Sequence, residues 1–404
     1  MELQHKVPGA AQANVVALST GKQVVWLTVD GSLHRGALSA AASYVIATAA
    51  DTARTKGIPL VIQMESSGAD LLEGIAALHG WGSAAKALAD CSGVVPTISI
   101  VTGPAVSGPA LLLGLSDFVV MTEDAYAFVS GPTMVVEFTG IDVSTDELGG
   151  AGTHARHTGV SSVVVTDLEA ATLWLEELLE YLPTGVDQLA PVSPTSDPDD
   201  RLTPEAGDLI PTTSTGSYDV RHVIESIADD GVYFEMKPWW ASNVVTAFAH
   251  MAGYPIGIVA NQPISLAGTL DIPASQKAAR FVAFCDAFNI PVLTLVDTPG
   301  FYPGKDLEWR GMIRHGAQLV FAYARATVPR ICVVLRKSYG GAYIVMDSKE
   351  MGNDLCLAWP CAELAVMGAG QAAAILQRRA TPEERAEFEA DYSARLLNPY
   401  IAAE

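Results

Sequence analysis

The chain has 404 residues, half of them hydrophobic and 17% charged, which is enough apolar material for two well-buried domains. Its 24 Lys and Arg against 45 Asp and Glu give a formal net charge of −21, which argues against nucleic acid or an anionic membrane as a partner. There is no secretory signal pattern, no apolar run of the ~18 residues that span a membrane and no CxxC pair among five cysteines, so we expect a reduced, cytoplasmic protein.

The first half alternates helical patterns with short apolar runs. Apolar residues at helical spacing predict a helix over residues 37–55, and β-branched runs predict strands at 60–62 and 97–101. Gly68 follows the first of these strands, and Gly108 follows the second. Short apolar strands between helices are typical of βαβ units, in which the strands are buried on both faces.

The middle of the chain differs in composition from both halves. Residues 183–217 are dense in Pro, Ser, Thr, Asp and Gly and show almost no aliphatic periodicity, which indicates a linker. We therefore expect an N-terminal domain over 1–190, a linker over 191–217 and a C-terminal domain over 218–404.

The second half repeats the landmarks of the first. It has a helical pattern over 275–288 and apolar runs at 292–296 and 330–335. Four landmark pairs keep an offset of 232 or 233 residues, namely Pro59 and Pro291, Gly68 and Gly300, Pro96 and Pro329, and Gly108 and Gly341. Such constant spacing indicates an internal duplication. The sequence therefore predicts an α/β fold in two copies.

Glycine-rich turns join a predicted strand to a predicted helix at 104–109 and 338–343. The first backbone N–H groups of a helix have no intrahelical acceptor, so they can hold the oxygen of an enolate or a polarised carbonyl. Pro109 has no N–H, which leaves Ser107 and Gly108 as the donors in the first half.

A second pair of turns, at 68–69 and 300–301, can add another donor to each predicted site. A single glycine turn between a strand and a helix is usually only structural. Four such turns at matching positions in two halves favour a function.

The chain lacks the motifs of several other enzyme classes. It contains no GxSxG, HExxH or GxxxxGK(S/T) pattern, and its eight histidines show no metal-ligand spacing, so no metal is expected. We interpret His154 and His157 as surface histidines near a loop. Met236 and Lys237 lack the residues that flank a biotin attachment site and indicate the end of a strand. Carboxylates that could act as acids or bases, but that caps and turns explain equally well, are Asp271, Asp297 and Asp347.

Several segments match the sequence patterns of one known family. In the second half they are 257–263, 271–281, 285–291, 297–301, 339–343 and 398–404, and in the first half they are 103–104, 116–118, 131–132 and 147–154. With these segments the chain resembles the carboxyltransferase (beta) subunit of biotin-dependent acyl-CoA carboxylases, of the propionyl-CoA and acetyl-CoA carboxylase type in the crotonase superfamily. The resemblance runs from about Gly21 to the last residue.

The resemblance implies two tandem crotonase-like (ClpP/crotonase) ββα superhelix domains. It also implies that the N-terminal half binds acyl-CoA and that the C-terminal half of a partner subunit binds carboxybiotin, at a dimer interface within a trimer of dimers. The biotin arrives on a separate carrier protein that a biotin carboxylase loads. The biotin ureido anion then removes the acyl α-proton, and the enolate attacks CO2.

Site residues follow from the same resemblance. Ser107 and Gly108 would hold the thioester enolate, and Gly341 and Ala342 the ureido oxygen of biotin. Residues expected to contact the substrates are Gly68, Ala69, Asp70, Gly300, Phe301, Tyr343 and Ile344.

Three positions depart from the usual family pattern. Position 70 is Asp rather than Arg, and an anion there repels the CoA phosphates by ~1 kcal/mol if solvated, which favours a thioester on an acyl-carrier protein or another pantetheine. Ser107 replaces a glycine. Ile344 stands where many relatives carry Asp and where acyl selectivity is set, so we expect an acyl group other than propionyl. The chain also begins and ends short of the family pattern.

Two alternatives stay open at this point. A biotin-independent decarboxylase of a malonyl-type thioester would use the same enolate and the same oxyanion sites. A non-catalytic carboxylase-like subunit would keep only the fold. A crotonase-type hydratase is disfavoured, because no paired glutamates follow the glycine turns.

Overall fold

The computed structural model describes residues 2–3, 9–213 and 216–403. The chain divides into two compact units, Met1–Pro191 and Val192–Glu404, called unit 1 and unit 2 below. Each unit has one β-sheet with helices in the connections between its strands. In the parts of the chain that are described, no helix is both long and apolar enough to cross a bilayer.

The sheet of unit 1 is mostly parallel. Its strands are β1 Glu2–Leu3, β2 Ala11–Ala17, β3 Gln23–Val29, β4 Leu60–Ser66, β5 Thr97–Val106, β6 Phe118–Thr122, β7 Tyr126–Phe128 and β8 Val163–Val165. Among the described residues the strand order is β1-β2-β3-β4-β5-β6-β8, and β7 lies beside β5. The first three strands pair antiparallel, and the pairings from β3 onwards are parallel.

Helices supply the crossovers that parallel strands need. In unit 1 they are α1 Ala40–Lys56, α2 Ile75–Ala89, α3 Gly108–Leu113, α4 Pro132–Thr139, α5 Thr145–Gly149, α6 Ala151–Thr153 and α7 Leu168–Tyr181. The helix predicted over 37–55 is α1. It begins after Ser39, whose hydroxyl accepts a hydrogen bond from Ala42 N, and it ends at Gly57, which has a φ of 63°.

Unit 2 has the same plan. Its strands are β9 Tyr233–Met236, β10 Val244–Met251, β11 Tyr254–Asn261, β12 Val292–Thr298, β13 Arg330–Tyr339, β14 Leu355–Ala358 and β15 Glu363–Ala365. The described residues give the order β14-β13-β12-β11-β10-β9, with β15 beside β13. β9 to β11 pair antiparallel, and the pairings from β11 to β15 are parallel. Its helices are α8 Pro204–Asp208, α9 Val220–Ile227, α10 Ile272–Ala287, α11 Lys305–Trp309, α12 Met312–Arg325, α13 Gly340–Val345, α14 Ala369–Leu376, α15 Pro382–Leu396 and α16 Pro399–Ala403.

The predicted duplication is confirmed at the level of single hydrogen bonds. Asp271 caps α10 by accepting from Ala274 N, and it stands 232 residues after Ser39, the cap of α1. The first half therefore matches the second not only in strand order but also in the groups that start corresponding helices. This agrees with the predicted α/β fold in two crotonase-like copies.

The cores lie between the strands of each sheet and the helices that pack on them, and the parallel strands are the most deeply buried part. Leu60, Ile62 and Met64 of β4 and Ile98 and Ile100 of β5 are at most 1% exposed. Burial of each such side chain contributes ~1.5–3 kcal/mol relative to an exposed one. Both strands continue past the apolar runs that predicted them, because strand pairing carries the polar residues at their ends into the sheet.

The segment after residue 191, which lacks aliphatic periodicity, packs against unit 2. Ala206 on α8 and Ile210 beyond it are buried. Arg336 Nη1 donates to Thr213 O at 2.9 Å and to Gly216 O at 2.6 Å. Two isolated apolar residues and an arginine of β13 are thus among the groups that hold the segment, together with hydrogen bonds from Arg201 to Ser226 O and Ala228 O.

Candidate active site

The strand-to-helix turn of unit 1 joins β5 to α3. Ser107 has a φ of 63° and a ψ of −124°, Gly108 opens α3, and Pro109 lies in the first helical turn. The Ser107 N–H donates to Phe128 O at 2.9 Å. Its amide is therefore already paired with β7, whereas the Gly108 N–H stands at the helix start, where no intrahelical acceptor exists.

A second turn of unit 1 lies against the first. Gly68 O accepts from Leu38 N at 2.8 Å, and Asp70 N donates to Leu38 O at 3.1 Å, so Leu38 brackets Ala69. In this parallel bridge the Ala69 N–H points away from Leu38. A Cβ built on Gly68 would lie 3.6 Å from the Ser107 Cβ. The predicted donors of the first half thus lie in neighbouring turns.

The strand-to-helix turn of unit 2 joins β13 to α13. Gly340 opens the helix with a φ of 60°, and Gly341 and Ala342 follow in its first turn. A Cβ built on Gly341 would lie 3.4 Å from Phe301 Cε2. The Gly341 backbone therefore touches the other predicted turn of this half, as in unit 1.

That other turn repeats the bracket of unit 1. Leu270 N donates to Gly300 O at 3.1 Å, and Tyr302 N donates to Leu270 O at 2.9 Å, so Leu270 brackets Phe301. Gly300 has a φ of 138°, and its N–H lies 3.3 Å from Thr298 Oγ1. The two units therefore present the same pair of contacting turns.

A buried ion pair fixes the strand ends beneath the unit 2 turns. Arg336 Nε donates to Asp297 Oδ2 at 3.0 Å, with 2% and 0% of the two side chains exposed. Asp297 Oδ1 accepts from Lys337 N, and Asp297 N donates to Asn261 Oδ1, both at 3.2 Å. These bonds tie the carboxyl end of β12 to β11 and to the segment of β13 that leads into Gly340.

The remaining predicted residues of unit 2 lie on α13. Tyr343 is half-buried, and burial raises the pKa of its phenol. Ile344 is 49% exposed. After the helix, the Asp347 carboxylate pairs with the guanidinium of Arg330, and burial raises the pKa of Asp347 to about 6 although Arg330 opposes the shift.

The sequence profile of the carboxyl transferase domain matches residues 12–404. The chain belongs to the carboxyl transferase family. The propionyl-CoA carboxylase beta chain of Saccharopolyspora erythraea is 43% identical over 403 residues, covering 95% of this chain and 74% of the relative. The mitochondrial propionyl-CoA carboxylase beta chain of Homo sapiens is 41% identical over 401 residues, covering 99% of this chain and 74% of the relative.

A solved structure agrees with these relatives. Transcarboxylase 12S, described as a hexamer with hydrolysed methylmalonyl-CoA bound, superposes on this carboxyl transferase with a TM-score of 0.94 at 41% identity. The match covers 98% of this chain and 77% of the other. The predicted family and the predicted enzyme class, a carboxyltransferase of the acyl-CoA carboxylase type, are confirmed.

The structure brings the predicted site residues of this carboxyl transferase together in two groups. The group in unit 1 is Ser107, Gly108, Gly68, Ala69 and Asp70, and the group in unit 2 is Gly341, Ala342, Tyr343, Ile344, Gly300 and Phe301. Asp70 Oδ1 accepts from Leu72 N at 2.9 Å, so this carboxylate caps its own turn.

The interpretation of His154 as a surface histidine was wrong. The residue is buried, its Nε2 lies 2.7 Å from Ala127 O, and its Nδ1 lies 2.7 Å from Thr158 Oγ1. Both ring nitrogens have partners because a π-helical turn, His154–Thr158, carries the ring under β7. His157 is exposed. The described residues hold no cluster of three or more His, Cys, Asp or Glu that could bind a metal ion.

Trp81 is the neighbour of the unit 1 turn that sequence reasoning missed. A Cβ built on Gly108 would lie 2.8 Å from Trp81 Nε1. No motif or spacing marks this residue, and the sequence around it repeats poorly in the second half. It could have been found only by placing α2 over the turn.

Proposed function

We propose that this carboxyl transferase moves a carboxyl group from carboxybiotin, held on a separate carrier protein, to the α-carbon of an acyl-CoA or acyl-carrier thioester. The observation that carries the proposal is the matched pair of contacting turns in each unit. Two reacting oxygens, one of a thioester and one of a ureido group, need two such sets of donors. The resemblance to propionyl-CoA carboxylase beta chains supports an acyl-CoA as the acceptor.

In unit 1, the amides of Gly108 and Ala69 would hold the thioester oxygen. The negative charge on that oxygen grows as the α-proton leaves, so the two hydrogen bonds strengthen toward the enolate. Preorganised donors of this kind typically contribute ~2.7–4 kcal/mol each. The Ser107 N–H is already paired with Phe128 O and would not bind the thioester oxygen. Ser107 would instead act through its backbone conformation, which positions the Gly108 N–H.

In unit 2, the amides of Gly341 and Ala342 would hold the ureido oxygen of biotin, and Phe301 would pack beside it. Carboxybiotin supplies CO2 and, once CO2 has left, a ureido anion that takes up the α-proton. Gly341 and Ala342 would stabilise the anion on that oxygen. The glycines let the ring approach the backbone closely.

A relative supports a proposal for the assembly. The transcarboxylase 12S structure is described as a hexamer, and for this chain we propose a trimer of dimers, with unit 1 of one subunit facing unit 2 of another. The carrier and its biotin carboxylase are the proposed partners. Asp70 in place of arginine favours an acyl-carrier thioester among the acceptors, because an anion at this position repels the CoA phosphates.

Fixation of radioactive bicarbonate tests the proposal. The purified chain is combined with a biotinylated carrier, a biotin carboxylase, ATP and acetyl-, propionyl- and butyryl thioesters of CoA and of an acyl-carrier protein. The test variant is Ala342→Pro, which removes one N–H at a position where unit 1 already has Pro109. Ala342→Gly is the matched control, because it keeps that N–H.

We expect acid-stable label in the wild type and in Ala342→Gly, and about 10²-fold less in Ala342→Pro. If none of the acceptor thioesters becomes labelled, while malonyl- or methylmalonyl-CoA loses CO2 without biotin, the decarboxylase alternative would be favoured. No activity in either assay would favour a non-catalytic subunit.

A further inference from the structure

Trp81 of α2 covers the unit 1 turn with a polar edge. Its Nε1 would lie 2.8 Å, and its Cδ1 3.1 Å, from a Cβ on Gly108. This geometry puts the five-membered part of the indole, which carries the N–H, directly against the Gly108 backbone. The contact also explains why only glycine fits at position 108.

The indole N–H is buried but unused within the protein. Across the described residues, Trp81 Nε1 has no hydrogen-bond partner. A buried indole N–H usually has one, because burying a donor without an acceptor is unfavourable. The Trp81 N–H is thus a donor without an acceptor among the described residues, and it lies beside the start of α3.

Unit 2 covers its equivalent turn in a different way. There the ring over Gly341 is Phe301, and a Cβ on Gly316 of α12 would lie 3.2 Å from its Cζ. Ala69 stands in unit 1 where Phe301 stands in unit 2. Both turns are therefore covered by an aromatic ring. In unit 2 the ring belongs to Phe301 of the turn itself, whereas in unit 1 it belongs to Trp81 of α2, which also has an N–H.

We propose that Trp81 is a further catalytic residue, whose indole N–H donates a third hydrogen bond to the thioester oxygen held by Gly108 and Ala69. The inference rests on the proposed function. The oxygen gains negative charge in the enolate, so a donor aimed at it lowers the barrier more than it tightens substrate binding. The ureido oxygen in unit 2 receives no such donor from Phe301.

Two replacements of Trp81 separate the N–H from the ring. Trp81→Phe removes the N–H and shortens the ring, and benzothienylalanine at position 81 keeps the bicyclic shape but has sulfur in place of the N–H. Trp26→Phe is the matched control. Trp26 lies on β3 of the same unit, and its Nε1 is 3.4 Å from Gln63 Oε1.

The readouts are kcat and KM for carboxylation of propionyl-CoA, and Kd for propionyl-CoA and for S-propyl-CoA, a thioether without the carbonyl oxygen. We expect both replacements at Trp81 to lower kcat about 10²-fold, with KM changed less than about threefold. Their Kd for S-propyl-CoA should equal that of the wild type, and Trp26→Phe should leave all values unchanged.

A benzothienylalanine enzyme with wild-type kcat would overturn the role of Trp81, even if Trp81→Phe is impaired, because only packing would then be involved. The role is equally overturned if both replacements weaken S-propyl-CoA binding as much as propionyl-CoA binding. A wild-type enzyme that fixes no label would instead overturn the proposed function, and the inference with it.

Discussion

Ser107 and Gly340 have nearly the same positive φ at equivalent points of the two units, 63° and 60°, although only one of them is glycine. They stand 233 residues apart, each directly after the strand that leads into the site. A side chain at such a φ costs ~1–3 kcal/mol. The chain therefore keeps a strained residue in the unit 1 turn.

Exchanging these two residues should have opposite effects on stability. Ser107→Gly should raise the free energy of unfolding by about 1 kcal/mol, since relief of strain exceeds the greater entropy of glycine in the unfolded chain. Gly340→Ser should lower it by ~1–3 kcal/mol, because its Cβ would also approach Val366 O to 3.1 Å. Urea unfolding of both variants measures the difference. A destabilised Ser107→Gly would show that the serine side chain makes up for its strain.

Removal of one partner from the buried pair of Asp297 and Arg336 should strongly destabilise unit 2. Asp297→Ala should lower the free energy of unfolding by ~3–5 kcal/mol, because it leaves a guanidinium buried without its counter-ion. Asp306→Ala is the control. It breaks an ion pair with Arg310 that is 79% exposed on the aspartate side and should change little. Equal losses of unfolding free energy for the two substitutions in urea would contradict a special role for the buried pair.

The duplication and the turns are predictable from the sequence because glycine and proline mark turns directly. Gly68 and Gly300 have positive φ values, and a Cβ on Gly108 would lie 2.8 Å from Trp81 Nε1, so these positions favour glycine and mark the turns in the sequence. The apolar runs predict the central strands for the same local reason.

Other features depend on contacts that no local pattern encodes. The Ser107 amide is taken by Phe128 O because β7, a strand of three residues, pairs with β5. Trp81 contacts Gly108 only when α2 is packed over the unit 1 turn, and no sequence motif predicts that contact. The buried position of His154 depends on a π-helical turn, which sequence periodicity does not show.

Cys356 should be the cysteine that titrates near neutral pH. It is paired in register with Cys332 on the neighbouring parallel strand, and a hydrogen bond from the Cys332 thiol lowers the pKa of Cys356 to about 7. Alkylation by iodoacetamide should therefore rise with pH and be half-maximal near pH 7, because the thiolate is the reacting form. Burial raises the pKa of Cys91 to about 11, so this thiol should not react in that range.

Mass spectrometry of labelled peptides between about pH 5.5 and 9 identifies the modified residue. Cys332→Ala should move the midpoint for Cys356 to higher pH, since it removes the hydrogen bond to the thiolate. Cys361→Ser should leave the midpoint where it is. An unchanged midpoint in Cys332→Ala would mean that the hydrogen bond from Cys332 does not lower the pKa of Cys356.

Ile344 should set the preference for the acyl chain. It is 49% exposed on α13, three residues after Gly341. In the proposed assembly its side chain would therefore face the acyl chain of a thioester held on unit 1 of the other subunit. Each methylene that packs against it gains ~0.8 kcal/mol, about a fourfold effect, so kcat/KM should rise from acetyl- through propionyl- to butyryl thioesters. Ile344→Asp should lower kcat/KM for the longer chains most, because a carboxylate loses hydration when an apolar chain covers it. Ile344→Leu, the control, should keep the wild-type order. Propionyl as the clear optimum of the wild type would contradict this role for Ile344, because an apolar wall without a size limit has no reason to prefer the middle of the series.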